Sequence, residues 1–389
     1  MNKTIALLTA MFLLAAANLP AEKREIDELD HECTSWMILS DLTGNGTHIL
    51  HKNRDATSRN IVVMKNAPDA PRRWIGLGND GFLCMGINAA GLAAVMNSGE
   101  PCIDPPNVKG KKRTPEILKA ILESCDNAEQ AVETLRGFLR AGDYSHGQDG
   151  SIFFFLDREE GVICETTAKF CSVQHYRDGY AFRANIWRNP GMEQQRARKL
   201  PARFQDSCGR ESVVKAMLDA ALDRKKKIEL PDILALARQN KKPDGSPMKR
   251  SVCFAKTNSA ATLVLNREFP AVLSTAYVLV GHPRHTICLT VPVCVKNLDC
   301  GLGEPVWAAA SWNRFDALGL GAPIPENWTA FERKSLAEYE QASAEALSLL
   351  RKGDQAQAVQ KLNETAAKIW REAYSLAVEP NLKKPEKNK

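Results

Sequence analysis

The sequence predicts an α+β fold built from stacked antiparallel sheets. Short apolar runs, separated by turns that contain Gly or Asn, occupy residues 36–96 and read as strands. Apolar residues then switch to helical spacing after Thr114, return to short runs at Ser151, and switch again near Met192. Strand-rich blocks separated by helix-rich blocks favour segregated layers over a doubly wound parallel sheet, which alternates strand and helix.

Each element has a local reason. Residues 36–39 and 48–51 flank the turn-rich segment 41–47 and read as a hairpin beginning beside Cys33, with 61–65 as a further strand. Residues 82–87 and 92–96 flank Asn88-Ala89-Ala90-Gly91, whose glycine reaches positive φ cheaply, so these two strands pair antiparallel. Thr114-Pro115 starts a helix carrying Ile117, Leu118, Ile121 and Leu122. Asp126 with Glu129 offers a cap for a second helix carrying Ala131, Val132, Leu135 and Leu139. Strands follow at 151–156, 161–166, 171–175 and 180–184, then helical patterns at 192–204, 211–222 and 231–238. A polar loop at 239–250 leads to apolar stretches at 252–257, 261–265 and 272–280, the last running toward 287–295. From 328 to 378, Leu336, Tyr339, Ala342, Ala346 and Leu349, then Val359, Leu362, Ala366, Trp370 and Tyr374, recur at helical intervals around a break at Gly353-Asp354.

The two ends read differently from the body. Asn2 and Lys3 precede the apolar run 5–17, too short to span a bilayer comfortably and ending in small residues. Residues 1–21 are therefore expected to be a signal peptide, cut after Ala17 or Ala21, that delivers a periplasmic or secreted protein with no membrane span after processing. Residues 22–32 are polar and acid-rich and read as a disposable propeptide. The body then runs over 33–320, the helical hairpin over 321–380, and a disordered tail over 381–389. The hairpin's apolar stripe is expected to pack on its own domain, with a subunit interface of a homo-oligomer as the alternative.

The formal net charge of +6 over 389 residues arises from dispersed clusters, at 109–113, 224–227 and 383–389, rather than one long basic stripe. Solvated loops and helix ends account for them, and no nucleic-acid partner is expected. Export makes disulfides permissible among the eleven cysteines, and the close pairs Cys164 with Cys171 and Cys294 with Cys300 could be bridged if their backbones form hairpins. With no C-x-x-C pair and no helical His-Glu-x-x-His, neither a metal nor another cofactor is expected.

Cys33 stands apart by position. A cysteine acts as its thiolate, and if the chain is cut just before it, its own α-amino group, with a reference pKa near ~7.7, can serve as the base. A Cys–His pair is the usual alternative, with His31, His48, His51, His146, His175, His282 and His285 available. The bland reading is a disulfide half or a buried thiol.

The context of Cys33 favours the first reading. Cys33-Thr34-Ser35, a Gly-containing turn and the strand Ile49-Leu50-His51-Lys52-Asn53-Arg54-Asp55 resemble the opening of the penicillin-acyltransferase-like branch of the N-terminal-nucleophile (Ntn) hydrolases. Choloylglycine hydrolases and acid ceramidase are more distant relatives of that branch. The resemblance continues at Gly86-Ile87-Asn88-Ala89-Ala90-Gly91-Leu92, at Met96-Asn97-Ser98, at Arg183-Ala184-Asn185 and over 274–292. It implies a four-layer αββα sandwich to which the C-terminal helical hairpin is an extension. It also implies a zymogen that cuts its own Glu32–Cys33 bond and then acts on a small-molecule N-acyl amide through a Cys33 thioester, as amidohydrolase or acyltransferase. By the same resemblance Asp55 holds the α-amino group, Lys52 or Arg54 fills the basic place beside the thiol, and Asn97 and Asn185 polarise the carbonyl. Arg284 with His282 and His285 could face a substrate carboxylate, although a turn between strands needs no such role. A cysteine peptidase using His and a secreted, disulfide-stapled binding protein are the competing readings.

Overall fold

In the computed structural model, which describes residues 32–382 apart from 68, 71, 80, 108, 109 and 199, the chain forms two antiparallel sheets. The expected signal peptide, the propeptide up to His31 and all but the first two residues of the tail lie outside the described residues. The first sheet contains β1 (Cys33–Ile38), β2 (His48–Asp55), β10 (Tyr180–Arg183), β11 (Thr257–Leu265), β12 (Thr275–Val280) and β13 (Leu289–Pro292), in the order β10-β1-β2-β11-β12-β13. The second runs β3-β4-β5-β6-β7-β8-β9, from β3 (Val62–Lys65), β4 (Trp74–Asn79), β5 (Phe82–Asn88) and β6 (Ala93–Pro101) to β7 (Asp149–Leu156), β8 (Gly161–Thr166) and β9 (Cys171–Tyr176).

Side-chain alternation assigns the faces. On β7, Ile152, Phe154 and Leu156 enter a core between the sheets with Met37, Leu50 and Leu263. The intervening Phe153 and Phe155 point the other way, onto Ile117 and Ile121 of α1 (Thr114–Ser124) and Leu135 of α2 (Ala128–Arg140). On β1, Met37 faces inward, whereas Trp36 and Ile38 meet Val214 and Leu218 of α3 (Pro201–Lys225) and Ile233 and Leu236 of α4 (Leu230–Ala237). Each sheet thus has one face on its partner and the other under helices, which is why these strands are apolar on both faces. A one-residue slip would exchange the two sets, and with them the side on which Cys33 points.

Asn88 holds the β5–β6 turn. Its Oδ1 accepts from the amides of Ala90 (3.1 Å) and Leu92 (2.9 Å), and its Nδ2 donates to the carbonyls of Leu122 (3.0 Å) and Cys125 (2.8 Å) at the end of α1. Gly91 completes the turn at φ 93°. Asn88→Ala leaves these buried groups without partners and is expected to cost roughly 2–4 kcal/mol, read as a lower urea midpoint at unchanged m-value.

Several elements differ from expectation for identifiable reasons. β4 carries Gly76 and Gly78, a composition that hides a strand; a Cβ at either would lie 2.1 Å from a carbonyl oxygen, of Met85 and Phe82 respectively, so close strand approach excludes any side chain. The patterns at 192–204 and 211–222 resolve into a short 3-10 turn, Glu193–Gln195, and the single helix α3, which Pro201 opens. Residues 252–256 are irregular, β11 begins at Thr257, and the apolar stretch 272–280 divides into the end of a one-turn helix, α5 (Pro270–Leu273), and β12. The cap of α2 is Asn127, whose Oδ1 accepts from the Gln130 amide (2.9 Å), while Asp126 pairs with Arg72 instead. A helix without its own sequence signal, α6 (Val306–Leu318), is rich in Trp and Ala and lacks a side-chain cap.

The long helices α7 (Glu326–Arg351) and α8 (Gln355–Ala373) are joined by a three-residue link and bury their apolar stripe on this chain. Trp370 Nε1 donates to the Thr290 carbonyl on β13 (2.8 Å). The buried pair Arg238–Glu332, with two bonds of 2.7 and 2.6 Å, ties α7 to the end of α4. Among the described residues, no helix is long and apolar enough to cross a membrane.

Candidate active site

Cys33 is the first residue of β1, and the β1–β2 ladder sets it directly opposite Arg54, with Ser35 opposite Lys52. Paired residues of an antiparallel ladder share a face, so both basic residues lie on the side of the thiol. That face looks toward the second sheet, since Ser35 Oγ donates to Asn97 Oδ1 on β6 (2.8 Å). Cys33, Lys52 and Arg54 line a cavity of about 570 Å³ with Met96, Ser98 and His146. Arg54 is the direct neighbour of Cys33, and its Nη1 is buried without a protein partner. Lys52 is buried and committed elsewhere, donating to Asn97 Oδ1 (2.9 Å) and to the Met96 carbonyl.

The two asparagines close the site from β6 and from the end of β10. Asn185 Oδ1 accepts from the backbone N–H of Cys33 (2.9 Å), while its Nδ2 donates to the Ser98 carbonyl (2.8 Å). Asn97 Nδ2 donates to the carbonyls of Arg183 (3.2 Å) and Ala184 (3.1 Å), so its amide hydrogens hold the end of β10 rather than face the cavity. Arg183 is anchored by a buried pair with Glu165 (2.8 Å), which fixes where Asn185 emerges from the sheet.

The alternate residues Thr34, Asn53 and Asp55 face the helices. Asp55 Oδ1 accepts from Thr257 Oγ1 (2.6 Å), Oδ2 lies 3.8 Å from Arg210 Nη1, and the Asp55 backbone N–H donates to the Glu32 carbonyl (2.8 Å). Arg210, fully buried on α3, was not picked out by sequence reasoning. It donates to the Cys33 carbonyl (2.9 Å), Thr34 Oγ1 (3.1 Å) and Asn185 Oδ1 (3.0 Å), and its Nη2 lies 2.9 Å from the buried Glu32 carboxylate. The available signal was polar rather than apolar: Arg203, Ser207 and Arg210 recur at helical spacing on the buried face of α3.

Burial pushes the Asp55 carboxyl up to about 7; Arg210 opposes the shift and Glu32 adds to it. The folded chain therefore holds a proton that an unfolded aspartate, with a reference value of ~3.9, releases. Because the native state binds more protons between those values, the Asp55 contribution to stability is present at low pH and is lost as pH rises from about 4 through about 7. In a Cys33→Ala chain, Asp55→Asn is expected to flatten that decline. Urea unfolding across this range measures it, and an unchanged slope would mean that Asp55 is ionised throughout.

The described histidines have other partners. His51 stacks on Trp36 at 4.0 Å, bonds Thr262 (2.8 Å) and Asn53 (2.9 Å), and is pushed down to about 3 by burial. His48 is likewise lowered by burial and bonds the Asp157 carbonyl (2.9 Å), and His175 is exposed beside Glu160. His146 lines the cavity, but its ring nitrogens bond Ser98 Oγ (3.0 Å) and Thr114 Oγ1 (2.7 Å). His282 and His285 pack against Trp312 and Phe315, and Arg284 donates to the carbonyls of Leu320, Arg238 and Ala322; this cluster staples loops and does not line the Cys33 cavity. All eleven cysteines are free thiols, so the bridges 164–171 and 294–300 are not formed. Cys102 shares the cavity, but burial pushes its thiol up to about 12, which removes it as a rival nucleophile.

Neither a family model nor a curated protein matches this sequence. Solved structures with some similarity include a conjugated bile acid hydrolase from Clostridium perfringens, 12% identical over 67% of this chain and 92% of that one, at a TM-score of 0.43. A penicillin V acylase from Agrobacterium tumefaciens is 13% identical over 68% of this chain and 87% of that one, at 0.44. The Caenorhabditis elegans ortholog of N-acylethanolamine-hydrolyzing acid amidase is 11% identical over 62% of this chain and 94% of that one, at 0.39.

What the site can do follows from its two faces. On one, a thiol with two cations beside it opens onto a cavity. On the other, Asn185, Asp55 and Arg210 gather around the backbone of Glu32–Cys33. Such an arrangement can attack a carbonyl and can hold an amine released at residue 33.

Proposed function

We propose that the chain is an exported cysteine Ntn amidohydrolase with a four-layer αββα body, made active when it cuts its own Glu32–Cys33 bond. The observation that carries the reading is the treatment of that bond. Its carbonyl oxygen accepts from the Asp55 N–H at 2.8 Å and its amide nitrogen donates to Asn185 Oδ1 at 2.9 Å, while the adjoining thiol looks into a cavity. A hydrogen bond to that oxygen stabilises the charge that develops when Cys33 Sγ attacks the Glu32 carbonyl carbon.

In self-cleavage, Sγ bonds to that carbon, the C–N bond breaks, and the proton from sulfur passes to the departing α-amine. Water then hydrolyses the thioester and frees the segment ending at Glu32. The new α-amine is retained by Asn185 Oδ1, with the Asp55 carboxylate available once the like-charged Glu32 has left. In turnover this amine takes the thiol proton as Sγ attacks a linear N-acyl amide and delivers it to the leaving amine. The Cys33 acyl thioester is then hydrolysed, or passed to an amine acceptor in the acyltransferase form of the same chemistry. Arg54 supplies positive charge opposite the sulfur, and Lys52 holds Asn97 and β6 in position.

Intact-mass measurement of the mature protein is expected to find Cys33 as the N-terminus, together with activity on one or more of N-acyl amino acids, penicillins or conjugated bile acids. A fully active chain that still begins at Asn18 or Glu22 would sink the mechanism.

A further inference from the structure

A second thiol site lies away from Cys33, on the outer face of the second sheet. β8 and β9 form a hairpin in which Thr166 pairs with Cys171 and Cys164 with Val173, so Cys164 and Cys171 are diagonal neighbours on one face. Cys164 is buried, and Cys171 packs against the same apolar cluster under α1 and α2. Cys171 is half-buried and opens onto a cleft of about 860 Å³ that it lines with Tyr144, Lys169, Arg136 and Arg140. Arg136 of α2, paired with Glu133 at 2.8 Å, lines the same cleft as Cys171.

We infer that Cys171 and Cys164 form a dithiol that small-molecule disulfides, such as glutathione disulfide, oxidise to an intramolecular bridge. The cleft gives the oxidant access to Cys171, and its rim, with Arg136, Arg140 and Lys169 against Asp104 and the paired Glu133, leaves a net positive charge that suits an anionic one, while Cys164 stands behind as the second thiol. In the first step Cys171 thiolate attacks one sulfur of the oxidant. A mixed disulfide forms, the oxidant S–S bond breaks, and the departing thiolate takes up the proton Cys171 gave up. In the second, Cys164 sulfur attacks Cys171 sulfur and displaces the other half of the oxidant, which takes the Cys164 proton. Two protein thiols are oxidised and one disulfide is reduced to two thiols.

Charge and contact divide the roles. The Cys164 S–H and the Arg136 guanidinium hold Cys171 below the usual thiol range, whereas burial raises Cys164 well above it. Diagonal Cα atoms are about 7–8 Å apart, beyond the usual disulfide span, so bridging requires the backbone to move. Cys171 is the first residue of β9, where a strand end can move. A bridge closed under strain is readily reduced, which makes the site reversible.

The test uses the full chain treated with glutathione disulfide, quenched in acid, alkylated and mapped by mass spectrometry without reduction. The expected product is a Cys164–Cys171 cross-linked peptide that disappears on incubation with excess glutathione. In the reduced protein, Cys171 should alkylate at least ~10-fold faster than Cys164. Cys164→Ser should trap glutathione on Cys171, and Cys171→Ser should leave Cys164 unmodified. A lasting glutathione adduct on wild-type Cys171 with Cys164 still alkylated, a bridge from Cys171 to another cysteine, or no reaction at either thiol would each overturn the inference; all three are read on wild type, so a poorly folding variant does not blunt the test.

Discussion

Cys33→Ala is expected to leave the Glu32–Cys33 bond intact and to lower amide hydrolysis by at least ~10⁴-fold, since one residue supplies the nucleophile for both reactions. The chain should still fold, because the Cys33 backbone N–H and carbonyl keep their bonds to Asn185 and Arg210. Cys33→Ser separates the two roles: a hydroxyl is a weaker nucleophile, so slow cleavage with little turnover is the expected pattern. N-terminal mass and hydrolysis, measured on the same preparations, decide the matter. Cleavage before residue 33 in Cys33→Ala would show that another protease matures the chain, and retained activity would remove Cys33 from the mechanism.

Arg210→Met in the Cys33→Ala chain is expected to cost roughly 3–5 kcal/mol, because it strands two buried carboxyls. Glu32 lies 2.9 Å and Asp55 3.8 Å from the guanidinium, all three side chains being fully inaccessible to solvent. Adding Glu32→Gln should recover part of the loss, with a coupling of about 0.5–3 kcal/mol from the double-mutant cycle. With Cys33 present, Arg210→Met should also slow self-cleavage, since Arg210 fixes the Cys33 carbonyl and Asn185. Urea midpoints and the time course of N-terminal processing read the two effects. A single variant as stable as its parent would mean that the Arg210–Glu32 pair contributes nothing to folding.

The charge exchange at residue 32 connects these results. Before cleavage, Arg210 faces the Glu32 and Asp55 carboxyls, and Asp55 holds its proton up to about pH 7. In the proposed self-cleavage, release of Glu32 would remove one negative charge and the new α-amine would supply a positive one. Both changes would favour ionised Asp55, so on this proposal the carboxylate that orients the base would become available when the base itself is formed.

The hairpin that carries Cys33 was legible in the sequence because its causes are local. Short apolar runs at 36–39 and 48–51, with the turn-rich segment between them, make a hairpin whatever packs above them. Asn88 and Gly91 declared their turn for the same reason, and positive φ at the glycine bears it out. Which basic residue stands opposite the thiol required the observed register, which selects Arg54 and commits Lys52 to Asn97.

The tertiary structure decided what depends on distant partners. β4 is a strand although glycine-rich, because the neighbouring strand leaves no room for a Cβ. Arg210 escaped notice because hydrophobic periodicity finds helices by their apolar faces, and the first half of α3 buries Arg203, Ser207 and Arg210 instead. Its partners Glu32, Thr34, Asp55 and Asn185 come from three separate stretches of the chain. Burial of those charges is affordable only where they meet, and that meeting is a property of the folded chain.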